Sequence, residues 1–229
     1  MRVRLFKGKE HALYYWKYRK SPSKVVIEKV LCFVEQRVTP LVDCKIYHRQ
    51  GTVLLDPYFS KVVGTDVSLS QVKMALQYST APNVTYRECP AEALPFADDS
   101  VDLVTTMTAF HWFDHYTAYC EYRVMKGITY TICFNNHYCL IEIKTFDSLE
   151  YPFKEHENLW VRKPMPLANY IGMIESFSNY QTQLREDPEK ARNLSRDITE
   201  RLLKAMGVTS PEVEVVMSVK YYCLLACKP

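Results

Sequence analysis

The amino-acid sequence predicts a single α/β domain with a doubly wound, mostly parallel sheet, and three observations predict it. Short β-branched runs alternate with amphipathic stretches at a pitch that suits parallel strand–helix–strand units with right-handed crossovers. The first two strand candidates end in acids, Asp43 and Asp66, where an open parallel sheet meets its ligand. The 229 residues are 48% hydrophobic and 24% charged, enough for one well-buried α/β domain and unlike a disordered or collagen-like chain.

Residues 1–20 interleave basic side chains with Phe6, Tyr14, Tyr15, Trp16 and Tyr18. Ser21-Pro22 then reads as a helix start, and Val25, Val26, Val30, Leu31 and Val34 form an apolar stripe at helical spacing that Pro40 ends. Leu41–Cys44 is a short strand and Thr52–Phe59 a short helix. Lys61–Thr65 (KVVGT) is a β-branched strand, and Leu69–Tyr78 a helix with Ser68 as its cap. Asn83–Glu88 and Val101–Thr106 are two further strands. Ile128–Phe134 and Tyr138–Lys144 read as strands joined by a turn at Asn135-Asn136-His137, whereas Tyr151–Lys163 shows no period. Leu167–Asn179 reads as one amphipathic helix. Asp187-Pro188 opens another that runs to about Met206, with Gly207 just past its end. Val213–Cys227 closes the chain as a strand.

Composition narrows the function classes. The longest unbroken apolar run, Tyr221–Cys227, has seven residues, whereas a membrane helix needs about 20, so no membrane partner is expected. The basic N-terminus has no apolar stretch behind it, so no secretory signal and a cytoplasmic location are expected. The eight cysteines sit mostly in apolar runs without a Cys-x-x-Cys pair, which predicts buried reduced thiols and no zinc site. Residues 1–24 carry eight basic side chains against Glu10 alone, a charge of +7, which leaves −4 for the rest of a chain whose net charge is +3. Such a segment is either a solvated surface or an attractor of an anionic ligand.

Asp43 and Asp66 lie 23 residues apart, close to the roughly 20-residue spacing of a ribose-binding acid. A longer string carries more. Val62-Val63-Gly64-Thr65-Asp66-Val67-Ser68 is followed by Ala91-Glu92-Ala93-Leu94-Pro95-Phe96. Then come Asp98-Asp99-Ser100-Val101-Asp102-Leu103-Val104 and Ala109-Phe110-His111-Trp112-Phe113-Asp114. On these residues the chain resembles the Rossmann-like class I S-adenosylmethionine-dependent methyltransferases, and within them the small-molecule branch of trans-aconitate methyltransferase-like proteins. The resemblance covers roughly 1–116 and 160–229. It implies one methyltransferase-like domain over 1–229: an N-terminal helical cap (1–38), a cofactor-binding core (39–134), an irregular segment (135–165), and C-terminal helices with a closing strand (166–229).

The resemblance implies roles at matching positions. S-adenosylmethionine is the cofactor. Asp66 would bind its ribose hydroxyls, Ala91 and Glu92 would lie by the adenine, and Asp43 and Gln50 would belong to the cofactor loop. His111 and Trp112 would border the acceptor as catalytic residues, and Tyr14, Tyr18 and Arg19 would cover and bind the acceptor. No metal is implied.

The match breaks at the loop after the first strand. The family reads Asp-x-Gly-Cys-Gly-x-Gly-Gln, and this chain reads Asp43-Cys44-Lys45-Ile46-Tyr47-His48-Arg49-Gln50. Lys45, Tyr47 and Arg49 fill three positions where glycine permits positive φ and close approach of the backbone. Holding side chains in such a loop costs on the order of 1 kcal/mol each. With added side-chain bulk the loss is expected to reach roughly 3–5 kcal/mol, or 10²–10³-fold in affinity. A second departure is the unmatched 117–160 stretch, beyond Met125-Lys126-Gly127-Ile128.

Methyl transfer is an in-line displacement at an already activated sulfonium, so the protein mainly positions its reactants. An ionised carboxylate acceptor needs no base, which suits the basic N-terminal segment. A hydroxyl or amine acceptor would call on His111 or His115. The expected function is methyl transfer to a small, carboxylate-bearing molecule. The alternative is an impaired pseudo-methyltransferase that acts as a binding or regulatory protein. Nucleic acid is not an expected partner: Cys89-Pro90 reverses the Pro-Cys order of cytosine-C5 enzymes, and no Asn-Pro-Pro-Tyr-like signature is present. The oligomeric state stays open.

Overall fold

The computed structural model describes residues 9–19, 21–36, 43–47, 49–98, 100–107, 109, 112–114, 117, 128–133 and 153–227. The chain forms two compact units, 1–20 with 162–218 and 21–161 with 219–229. The first helix falls in the unit with the C-terminal helices and the second in the unit with the sheet.

The larger unit holds α2 (Lys24–Glu35), β1 (Asp43–Tyr47), α3 (Arg49–Leu55), a 3₁₀ turn at Asp56–Tyr58, β2 (Lys61–Asp66), α4 (Leu69–Tyr78), β3 (Val84–Glu88), β4 (Leu103–Met107) and β5 (Ile128–Cys133). β6 (Phe153–Pro166) and β7 (Glu214–Cys227) contribute to both units. The sheet order is β3-β2-β1-β4-β5-β7-β6. Strands β1 to β5 run parallel, and β7 returns antiparallel to β5, with Thr129 opposite Ala226. Strand order reverses between β1 and β4, so the ligand crevice of an open sheet falls at their carboxyl ends.

Burial explains the inner strands. Val62, Val63 and Thr65 of β2 and all five residues of β4 are buried, as expected for parallel strands covered on both faces. α2 buries Val26, Val30, Leu31 and Val34 of the predicted stripe, together with Ile27 and Phe33, in a core shared with Leu55, Leu103 and Tyr221, whereas Val25 is exposed. Cys89 and Cys223 are buried free thiols as anticipated, but Cys32 is exposed on α2. Among the described residues no helix is long and apolar enough to cross a membrane.

The smaller unit packs α1 (Lys9–Tyr18) with α5 (Leu167–Glu175), α6 (Ser178–Glu186) and α7 (Pro188–Met206). α7 begins as predicted: Asp187 accepts the Lys190 N–H at 3.0 Å, and Pro188 occupies the first turn. It ends at Gly207, whose φ of 66° is left-handed.

Three expectations are corrected. β1 does not end at Asp43 but runs on to Tyr47, paired with β2 and β4 on both sides. Ile46 and Tyr47 favour extended backbone, and no glycine interrupts them. The helix expected over Leu167–Asn179 is two helices. At the break the Ser176 hydroxyl donates to the Met173 carbonyl at 2.6 Å, and a side chain that competes in this way for backbone groups disfavours further helix. β6 was not anticipated. From Glu157 to Met165 its exposure alternates, yet its inward positions include Glu157 and Lys163 while Trp160 points outward and is 70% exposed, which hides the two-residue period. The strand candidate Tyr138–Lys144 lies outside the described residues.

Candidate functional site

The site is built on the carboxyl ends of β2, β3 and β4. β2 ends at Asp66 because its carboxylate turns back on the chain: Oδ1 accepts the Ser68 N–H at 2.7 Å and closes the turn into α4. Ser68 occupies the predicted cap position, but its side chain makes no capping bond; Asp66 makes the turn. Burial pushes the Asp66 carboxyl up to about 6, against the lowering effect of the Ser68 N–H. Asp66 is therefore a partly enclosed acid that gains from further hydrogen-bond donors.

The neighbouring strand is locked to it. Asp66 pairs with Glu88, and the Cys89 N–H donates to the Asp66 carbonyl at 3.0 Å. The Cys89 thiol then donates to the Ala93 carbonyl at 2.9 Å, which folds 90–93 into a tight turn. Ala91 is buried at 1% exposure in a small second core with Val101, Val104 and Phe113. The loop after β3 is thus packed on the chain that enters and leaves β4.

The predicted residues divide accordingly. Asp66, Ala91 and Glu92 lie together on this edge. Trp112 follows β4 in a turn where its N–H donates to the Ala109 carbonyl at 2.9 Å, and it is 43% exposed. Asp43 does not join them. Tyr47 pairs with Thr65, next to Asp66, whereas Asp43 pairs with Lys61 at the amino end of the strand. At about 3.3 Å per residue, Asp43 lies roughly 13 Å from Tyr47, on the opposite edge of the sheet. Lys45 and Tyr47 are strand residues with extended backbone, so the positive-φ strain expected of them does not arise. Gln50 falls in the first turn of α3. His111 and His115 lie outside the described residues.

Tyr14, Tyr18 and Arg19 belong to the smaller unit. The rings of Tyr14 and Tyr18 are 5.6 Å apart, and the Tyr18 ring lies against Gly172. Burial and then the Glu175 carboxylate push the Tyr14 phenol above its ordinary range. The Arg19 Nε donates to the Ser176 Oγ at 3.0 Å, with the guanidinium 4.4 Å from the Phe177 ring centre and 5.2 Å from that of Tyr15. Sequence reasoning missed Asp114. Its Oδ1 accepts from both the Thr117 N–H and hydroxyl at 3.1 Å, and its own N–H donates to Glu92 Oε1 at 2.7 Å. The Asp114-x-x-Thr117 spacing was a cap signal available in the sequence.

The open, doubly wound sheet is a Rossmann-like fold of the class I methyltransferase type. A family model described as a methyltransferase domain matches residues 49–127, beginning just after β1. A Dictyostelium discoideum protein described as a methyltransferase is 27% identical over 212 residues, covering 78% of each chain. A solved structure from Anaeromyxobacter dehalogenans, described as a type II methyltransferase, superposes with a TM-score of 0.62 at 18% identity, covering 91% of this chain and 97% of that one. A Haemonchus contortus phosphoethanolamine N-methyltransferase, solved with phosphomonomethylethanolamine and S-adenosylhomocysteine, has a TM-score of 0.51 at 17% identity, covering 99% of this chain and 59% of that one.

Proposed function

We propose that this protein is an S-adenosylmethionine-dependent methyltransferase that acts on a small, carboxylate-bearing molecule. The observation that carries the reading is Asp66, an enclosed acid at the carboxyl end of β2 beside the tight turn that follows β3. The adenosine half of the cofactor fits these residues: a ribose diol supplies two hydroxyl donors to a carboxylate that is short of solvent. When bound, the cofactor supplies an activated methyl group. The chain's own work is then to hold and orient: Asp66 accepts from the ribose, Ala91 offers a small apolar surface by the adenine, and Trp112 borders the acceptor. The +7 charge of residues 1–24 supports an anionic acceptor that needs no general base.

One observation favours a second reading, a pseudo-methyltransferase that serves as a binding protein. β1 continues as paired strand through Lys45 and Tyr47, where the family has a glycine loop. Calorimetric titration with S-adenosylmethionine and S-adenosylhomocysteine separates the two. Micromolar binding supports the enzyme and leads to a screen of carboxylate acceptors for methyl ester formation. No binding up to millimolar concentration supports the second reading.

A further inference from the structure

We propose that Glu92 is a positioning residue that sets the chain after β4 from the loop after β3, and so ties the acceptor side of the site to the cofactor side. This rests on the methyltransferase reading for its functional meaning, though its geometry stands apart from it. Glu92 follows Ala91, which is anchored in the small core with Phe113. From that fixed point its carboxylate reaches across 22 residues of sequence to accept the Asp114 N–H at 2.7 Å. Asp114 in turn accepts twice from Thr117, and it directly follows Trp112 and Phe113 in the chain that leaves β4. One carboxylate therefore adds a directed polar bond between two loops that also meet through the apolar contact of Ala91 with Phe113. A backbone N–H bonded to a charged acceptor has a defined distance and direction, which apolar packing does not impose. The Glu92 carboxylate thus acts on neighbouring protein rather than on the adenine beside which sequence reasoning placed it. Glu92 sets where Trp112 stands relative to Asp66 and Ala91.

The test is residue-resolved amide hydrogen exchange on the full chain, with Glu92→Ala and Glu92→Gln. The Ser68 N–H, held by Asp66 in the same manner, is the internal control. In E92A the Asp114 amide is expected to exchange at least tenfold faster while Ser68 is unchanged. E92Q, whose amide oxygen still accepts, stays within about threefold of the parent chain. S-adenosylhomocysteine is expected to slow Asp114 exchange in the parent chain and not in E92A. Unchanged Asp114 exchange in E92A overturns the proposal. So does a tenfold loss of affinity in E92A with exchange at Asp114 unaltered, which marks a direct cofactor ligand. If the parent chain binds no S-adenosylhomocysteine, the methyltransferase reading alone falls, and the exchange rates still decide the role of Glu92.

Discussion

β1 and β2 lie side by side in the sheet and were both expected to end in an acid, but only β2 does. Asp66 closes β2 because Ser68 follows at the right distance to donate to its carboxylate, after which α4 begins. After Asp43, Cys44, Lys45, Ile46 and Tyr47 are all compatible with extended chain, so the strand continues past the acid. An acid is brought to the end of a strand by the residues after it: a donor that closes a turn, or glycines that break the ladder.

The contrast extends to space. β2 contains Gly64 at its centre, and a Cβ built there would lie 2.5 Å from Cδ1 of Tyr86, its partner on β3. β1 keeps no glycine. Gly64→Ala is therefore expected to give the largest effect on stability, a loss of about 3 kcal/mol, because the buried Tyr86 ring has little room to retreat. A thermal melt should show a fall of roughly 6–12 °C. Adding Tyr86→Leu should recover most of it, since the clash is with the ring. A Gly64→Ala melt indistinguishable from the parent would break the comparison at its strongest point.

Asp66 offers the next effect. Its folded carboxyl titrates at about 6, above the ordinary aspartate value near 3.8, so folding favours the protonated form. Stability from this group is fully present below about pH 4 and is lost as pH rises through 6, by up to about 3 kcal/mol. Asp66→Asn should flatten that slope and stabilise the ligand-free protein by about 1–2 kcal/mol at pH 7, with the Asn oxygen still able to accept from Ser68. It should also weaken S-adenosylhomocysteine binding. Melts of both chains from pH 4 to 8, with calorimetry at pH 7, test this. Parallel pH profiles would remove the enclosed acid from the argument.

The sharpest probe of β1 is Lys45→Gly with Tyr47→Gly. If both are strand residues, each glycine costs about 0.5–1 kcal/mol, and the double variant melts about 2–8 °C lower. If the segment adopts the family's turn in solution, glycine relieves strain and the melt rises. Measuring S-adenosylmethionine affinity on the same variant ties the result to function: gained affinity with lost stability means a site that was closed by sequence.

Most of the sheet was legible because its causes are local. Lys61–Asp66, Leu69–Tyr78, Val84–Glu88, Ile128–Cys133 and Pro188–Met206 fall within a residue or two of expectation, each fixed by β-branched runs or cap residues within its own window. The misses share a different cause. β6 and the break at Ser176 involve partners elsewhere: Glu157 of β6 meets Lys29 at 3.3 Å, and Ser176, beside its local bond to Met173, accepts from Arg19, whose sequence distance is 157. The candidate site divides along the same line. Asp66 was legible from its own turn. The Glu92–Asp114 contact joins residues 22 apart through the packing of Ala91 on Phe113, which no local pattern records.

The smallest effect isolates backbone conformation from space. Gly207 ends α7 with φ at 66°, and a Cβ built there meets nothing within 4 Å. Gly207→Ala therefore costs only the left-handed conformation, about 1 kcal/mol and roughly 2–4 °C in a melt. Asn tolerates that conformation better than Ala, so Gly207→Asn should lose less. At Gly64 the order must invert, because a larger side chain meets the Tyr86 ring and no dihedral preference helps it. Two glycines that look alike in sequence are thus kept for opposite reasons. The crossed ranking of Ala and Asn at the two positions separates a residue chosen for its dihedral from one chosen for its size.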